Sequence, residues 1–212
     1  NVARLGLAWS RDINDGGNAL TAPIAVGGIL YFASSYGHVR ALDAATGHEL
    51  WHVDLKAWET AGHKMRAAWG IRGLAYDGGK VFVGTVDGRL TAINARSGHV
   101  AWSVMTVGNN DERYISGAPW VFKGKVLIGH GGADFAPVRG YVTAYDQQTG
   151  KQLWRFHTVP GDPSLGFENK TMAMAAKTWT GEWWKYGGGG TAWNAMAYDP
   201  KYNRIYIGVG NG

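Results

Sequence analysis

The residues of this chain that could do chemistry stand in two glycine-rich segments. Gly129-His130-Gly131-Gly132-Ala133-Asp134 ends in a carboxylate, and the side-chain-free Gly131 and Gly132 let a ligand approach the backbone. The same stretch also reads as an ordinary long hairpin loop. Gly187-Gly188-Gly189-Gly190-Thr191-Ala192-Trp193 sets four glycines before a hydroxyl and a large flat ring. Ordering such a tract loses much conformational entropy. It reads either as the seat of a flat ligand on Trp193 or as a flexible linker. Asp134 and Asn211 are oxygen donors at strand ends, and two such donors from neighbouring units suit a hard cation such as calcium. Taken singly, each is a turn former. Arg72, in Ile71-Arg72-Gly73, requires an anionic partner if it is buried. His48 and His52 are four apart, but on a hairpin that spacing does not bring two rings together, so no zinc site is read from them.

The chain has no cysteine, which excludes disulfides, zinc ribbons, c-type haem attachment and thiol catalysis within it. The formal charge is +5, yet Lys and Arg are scattered singly, and no basic run with interleaved aromatics marks a nucleic-acid partner. No apolar stretch approaches the ~20 residues of a membrane helix. No leader segment is visible, so the chain reads as cytosolic or already processed. The 33 glycines in 212 residues are roughly twice the ordinary share. Tight turns between short strands account for most of them.

The elements that must position these residues are written three times. GHVRALDAATGHELW (Gly37–Trp51), GRLTAINARSGHVAW (Gly88–Trp102) and GYVTAYDQQTGKQLW (Gly140–Trp154) share the frame G-x-[VL]-x-A-x-[DN]-x-x-[ST]-G-x-x-x-W. The tryptophans recur every 51 or 52 residues. A period of that length in strand-type sequence predicts an all-β chain, a β-propeller or a related array. In the third copy Tyr141–Tyr145 reads as a strand, Asp146 and Thr149 bond the turn backbone, and Gly150 supplies positive φ. Lys151–Phe156 reads as an alternating, half-buried outer strand. The recurrent Trp is expected to dock one unit on the next.

Two further strands precede each hairpin. Gly28–Phe32, Lys80–Gly84, Lys125–Gly129 and Arg204–Gly208 form one set; Ala22–Val26, Gly73–Tyr76 and Ala118–Phe122 form the other. Four strands per repeat make a propeller blade. The expected blades span about 20–55, 70–106 and 115–157, with the start of the next at 190–212, in one partial propeller domain over 1–212. Asn1–Trp9 is expected to be the outer strand of a blade whose remainder lies elsewhere. So few blades do not close a ring of about four to eight, so the expectation is one piece of a larger propeller.

These segments resemble the pyrroloquinoline quinone (PQQ) dependent alcohol dehydrogenases, the family of the methanol dehydrogenase large subunit and the quinohaemoprotein alcohol dehydrogenases. The resemblance runs through nearly the whole chain. It is most specific in RGLAYDGGKVFVGTVDGRLTAINARSG, ISGAPWVFKGKVLIGHGGADF, VRGYVTAYDQQTGKQLWRFHTVPGDP, AAKTW, GGGGTAWNAMAYDP and IYIGVGNG. It implies an eight-bladed propeller with PQQ near its axis. Arg72 matches an arginine that contacts the cofactor, and Ser116 a hydroxyl on a PQQ carboxylate. Gly131, Gly132 and Ala133 match the loop lining the cofactor, Trp193 the ring stacked beneath it, and Thr191 a hydroxyl beside it. Asn211 matches a calcium ligand, and Asp134 stands where the family usually has a glutamate ligand; a lanthanide in calcium's place is compatible with the same set.

The resemblance further implies oxidation of an alcohol to an aldehyde or ketone, with the ion polarising a PQQ carbonyl and electrons leaving to a cytochrome c in the periplasm. The family's general base is expected beyond Gly212. Three positions depart from the pattern. Arg66-Ala67 replaces an adjacent cysteine pair, Leu20-Thr21-Ala22-Pro23 replaces Glu-Ala-Thr-Pro, and Asp134 is one methylene short. Two other classes fit the repeat: a non-catalytic scaffold or binding propeller that has lost its cofactor, and a carbohydrate-binding propeller using exposed tryptophans. Trp193, Asp134 and Asn211 in register favour the enzyme, whereas the missing cysteines and Leu20 favour the scaffold.

Overall fold

The computed structural model describes residues 2–17, 19–67, 70–108, 110–194 and 196–210, with the side chains at 66 and 67 outside the description. Its strands form sheets that are each a simple antiparallel meander. The first sheet is β1 (Ile24–Val26), β2 (Ile29–Ala33), β3 (His38–Asp43) and β4 (Glu49–Asp54). The second is β5 (Ala75–Asp77), β6 (Lys80–Gly84), β7 (Arg89–Asn94) and β8 (Val100–Met105). The third is β9 (Trp120–Phe122), β10 (Lys125–Ile128), β11 (Tyr141–Asp146) and β12 (Gln152–His157). A two-stranded ladder, β13 (Met196–Asp199) with β14 (Arg204–Ile207), follows. Short helices α1 (Ala57–Ala61) and α2 (Lys170–Ala176) lie between sheets in sequence.

Apolar layers fill the spaces between consecutive sheets. Tyr31, Val39, Ala41, Val81, Val83 and Ile93 are buried between the first and second. Phe82, Leu90, Ile115, Val126 and Tyr145 fill the next space. Leu127, Val142, Ala144, Ala192 and Met196 fill the one after. A middle sheet therefore buries both of its faces, and its β-branched and aromatic strands suit that two-sided burial.

The recurring turn is built as its residues dictate. Oδ1 of Asp146 accepts from the Gln148 and Thr149 amides at 3.0 and 2.8 Å and from the Thr149 hydroxyl at 2.8 Å. Asp43 does the same with Ala45 and Thr46, and Asn94 with the Arg96 and Ser97 amides. The closing Gly47, Gly98 and Gly150 have φ of +73°, +75° and +72°. Each of these glycines also lies under a tryptophan ring of the preceding repeat. A Cβ on Gly98 would stand 3.0 Å from Trp51, and one on Gly150 2.8 Å from Trp102. The indole N–H then reaches past the turn: Trp51 donates to the Ala95 carbonyl at 2.9 Å and Trp102 to Gln147 at 3.1 Å.

Two expectations require correction. Val2–Arg4 is a 3₁₀ turn and residues 5–10 carry no strand. A strand is defined by its ladder, and none of the described strands pairs with this segment. Trp9 nonetheless takes the docking place, with its Nε1 donating to Ala44 at 3.1 Å and its ring on Gly47. The outer strand β12 also does not alternate cleanly, although β4 does. Ala144 faces Trp154 but Tyr145 faces Gln152, so Leu153 is bulged; the same slip occurs at Ala41 and Ala92. A bulge places two residues against one and re-aims the side chain beside it. It leaves Leu50 and Leu153 47% and 45% exposed while Trp51 and Trp154 pack against the buried layers.

Candidate cofactor site

Backbone bonds between sheets bring the candidate residues together at the inner strand ends. The Ala22 amide donates to the Arg72 carbonyl at 3.1 Å, and the Arg72 amide to Ser116 at 3.0 Å. Each residue just precedes the inner strand of its own sheet. The loop after β10 is fixed by a reciprocal pair: Gly131 N–H donates to Tyr114 at 2.8 Å and Tyr114 N–H to Gly131 at 3.3 Å. The segment after β14 makes one bond of the same kind, with Gly210 N–H on the Thr191 carbonyl at 2.7 Å.

The result is a cavity of about 300 Å³ lined by Arg72, Tyr114, Ser116, Gly131, Asp134, Phe135, Thr191, Trp193 and Gly210. The Arg72 guanidinium carbon stands 4.7 Å over the Trp193 ring. Ser116 and Thr191 are buried at 3% and 1% exposure, while Asp134 is exposed. The Thr191 hydroxyl donates to Asp134 Oδ1 at 3.2 Å, and the Gly132 amide reaches the same oxygen at 3.3 Å. An aromatic floor, a cation, two buried hydroxyls and a carboxylate thus face one space. Such a mixture of one flat apolar surface and a few convergent polar groups is what a cofactor pocket requires.

The structure does not bring every candidate to this cavity. Gly132 is buried behind it, with φ +107° and room for no Cβ beside the Glu112 carbonyl. Ala133 lines a second, wider cavity with Phe135, Trp179, Trp183 and Tyr186, which Asp134 also borders. Asn211 lies outside the described residues. The Gly187–Gly190 tract is packed on the chain itself and is not a free linker. All four residues have positive φ. Their backbone packs on the chain: Gly187 against Pro137 and Val138, Gly189 accepting from the Gly140 amide at 2.9 Å, and Gly190 accepting from the Thr158 hydroxyl.

Sequence reasoning missed the residues that set the approach of this tract. A Cβ on Gly117 would overlap the Trp193 carbonyl, one on Gly129 the Ala192 carbonyl, and one on Gly140 the Gly190 carbonyl. Three glycines of the third unit therefore receive the backbone that carries Thr191 and Trp193. His130 is a second residue whose role the sequence does not mark. It is 1% exposed, its Nε2 accepts from the Tyr141 amide at 3.1 Å, and its Nδ1 faces the Gly131 carbonyl at 3.1 Å. Those partners fix the neutral Nδ1–H tautomer. Burial drives its pKa down to about 3.

Meandering four-stranded sheets stacked face to face, with a polar-lined cavity at their inner ends, define a β-propeller with a cofactor-type site. Over residues 1–212 the chain matches the family described as PQQ glucose/ethanol/alcohol dehydrogenase, β-propeller domain, and it belongs to that family. It is 47% identical to a quinohemoprotein alcohol dehydrogenase ADH IIB of Pseudomonas putida, over all of this chain and 31% of that protein. The solved quinohemoprotein alcohol dehydrogenase ADHIIG of Pseudomonas putida HK5 superposes with a TM-score of 0.92 at 49% identity, over 98% of this chain and 30% of that one. A europium-containing methanol dehydrogenase follows at TM-score 0.79 and 33% identity, over 99% of this chain and 38% of that one. The chain thus spans about 30% of the length of these two quinohemoprotein relatives.

Proposed function

We propose that this chain is the cofactor-holding part of a PQQ-dependent alcohol dehydrogenase, in which further blades complete the ring. Arg72, Ser116, Thr191 and Trp193 would hold PQQ, and Asp134 with Asn211 would hold a calcium ion, or a lanthanide in its place. The observation that carries this reading is the convergence of Arg72, Ser116, Thr191 and Trp193 with Asp134 on one cavity.

The fit is chemical. PQQ is planar and carries carboxylates. Trp193 offers a ring for the plane, Arg72 a permanent cation, and Ser116 and Thr191 hydroxyl donors. Asp134 beside an anionic cofactor is a like-charge contact, so a cation between them is needed. Calcium takes six to eight oxygens, which makes binding of ion and cofactor mutually dependent. When bound, PQQ would supply the redox chemistry of alcohol oxidation and the ion Lewis acidity. This chain's residues orient, neutralise and exclude water; the general base is supplied beyond Gly212. A cytochrome c acceptor and a periplasmic location belong to the same proposal, carried by the family resemblance. No helix among the described residues is long and apolar enough to cross a membrane.

Titrating PQQ into the calcium-loaded protein should quench tryptophan fluorescence, and a chelator should reverse it. Trp193→Ala should weaken binding by about 1–3 kcal/mol, or 5- to 150-fold, if the ring contributes as stacked aromatics do elsewhere. Asp134→Asn should weaken PQQ binding and abolish its dependence on calcium. Fluorescence that ignores PQQ would return the chain to the non-catalytic propeller reading.

A further inference from the structure

Away from the axial cavity, the described residues contain another grouping of metal-type donors. It lies on the outer hairpin of the first sheet. The β3–β4 register sets Arg40 opposite His52 and His38 opposite Asp54, so His38 and His52 are diagonal neighbours. Their rings meet at 5.2 Å between centroids, with Nδ1 of His38 3.1 Å from Nε2 of His52. Asp15, in the segment preceding β1, closes over them. One donor atom from each of Asp15, His38 and His52 lies within 4.8 Å of the other two.

Two imidazole nitrogens and a carboxylate oxygen are the donors that zinc and its neighbours take, at about 2.0–2.2 Å. Tetrahedral angles at such bonds separate adjacent donors by about 3.3 Å. The histidine nitrogens already stand near that separation. Asp15 has to close by about 1.5 Å at most to join them.

The surrounding charges accept a cation. Arg40 pairs with both oxygens of Asp15, at 2.6 Å for Nη2–Oδ1, and with Glu49 at 3.2 Å. Arg11 pairs with Glu49 at 2.8 Å. Asp54 Oδ1 stands 3.8 Å from His38 Nδ1. Asp15 and Glu49 pair with the two guanidinium groups and Asp54 stands beside His38, so the three carboxylates exceed the two arginines by one charge. Borderline ions favour imidazole, whereas calcium favours all-oxygen sites, so this grouping and the axial one select different metals.

We propose that Asp15, His38 and His52 bind one zinc-class transition-metal ion, which staples the segment before the first sheet to that sheet's outer hairpin. The test uses untagged protein, stripped with a chelator and returned to excess calcium. Zinc chloride is then titrated by calorimetry, and cobalt chloride by visible absorption. One equivalent of zinc should bind, and cobalt should show the intense visible bands of tetrahedral coordination. His52→Ala and His52→Gln should each weaken zinc binding at least tenfold. His52 is exposed on its strand, so both variants should melt as the wild type does without zinc. Asp134→Asn should leave zinc binding unchanged. Absence of zinc heat and of cobalt bands would overturn the proposal. So would wild-type affinity in both His52 variants, or loss of zinc binding in Asp134→Asn, which would place the ion at the axis.

Discussion

Acidification from pH 6.5 towards pH 3 should remove on the order of 5 kcal/mol of stability through His130 alone. The ring is buried, and its folded pKa lies near 3 against an ordinary value near 6.5. Between those values the unfolded chain binds a proton that the folded chain does not. Stability therefore rises with pH across this window and is lost as pH falls, by about 1.4 kcal/mol per unit. The reason is local. A proton on Nε2 would turn the acceptor of the Tyr141 amide into a second donor facing it. Burial likewise lowers the pKa of His157, with Arg139 adding to it, so it acts in the same direction. The stability held by the ion-paired carboxylates Asp15 and Glu168, both near 2 against ordinary values of 3.8 and 4.5, is present above those values and lost only as pH falls below about 5. Urea unfolding at steps from pH 7 to pH 4.5 reads the histidines. In His130→Gln the slope over that range should flatten, at the expense of lower stability at pH 7. A slope unchanged in the variant would assign the acid sensitivity to other groups.

Gly117→Ala should destabilise the protein by about 3 kcal/mol or more, the upper range for overpacking, and should weaken PQQ binding at least tenfold. The methyl would overlap the Trp193 carbonyl, which is backbone and cannot rotate away. Gly117 does not have positive φ, so the clash and not dihedral strain sets the effect. Relief requires moving the chain that holds Thr191 and Trp193. Gly108→Ala is the control, because its added methyl meets nothing closer than 3.5 Å. If Gly117→Ala melts and binds PQQ like Gly108→Ala, the close approach at this place is not needed.

The strand repeats were legible because local chemistry sets them. An Asp or Asn followed three residues later by Ser or Thr and then Gly is a turn whatever surrounds it, and the three copies fold alike. Arg72, Ser116, Thr191 and Trp193 could be named from the resemblance, and the inner-edge hydrogen bonds explain why they meet. What escaped the sequence depends on distant partners. The bulge before each tryptophan is invisible to a period of two. Gly117 and Gly129 look like any strand-end glycines until a carbonyl from about 60–75 residues later arrives against them. His38 and His52 are separated by a turn, and Asp15 comes from outside the hairpin. Helix α2 carried a usable signal: Asn169 caps it, accepting from the Met172 amide at 3.0 Å, before a run of good helix formers.

The indole bonds from Trp9 to Ala44, Trp51 to Ala95 and Trp102 to Gln147 have a genetic consequence. The first two repeats each carry both halves of one connector, a plug at the outer strand and a socket at the turn. The socket is a backbone carbonyl beside a glycine, so it does not depend on which side chain follows the Asp or Asn. Copying one repeat in tandem therefore creates two compatible joints at once, without any compensating substitution. A ring built this way can gain or lose a unit by unequal recombination and still have every plug matched. Selection can then act on the inner loops, which carry Gly131, Asp134 and Trp193 in this chain, while the rim stays interchangeable.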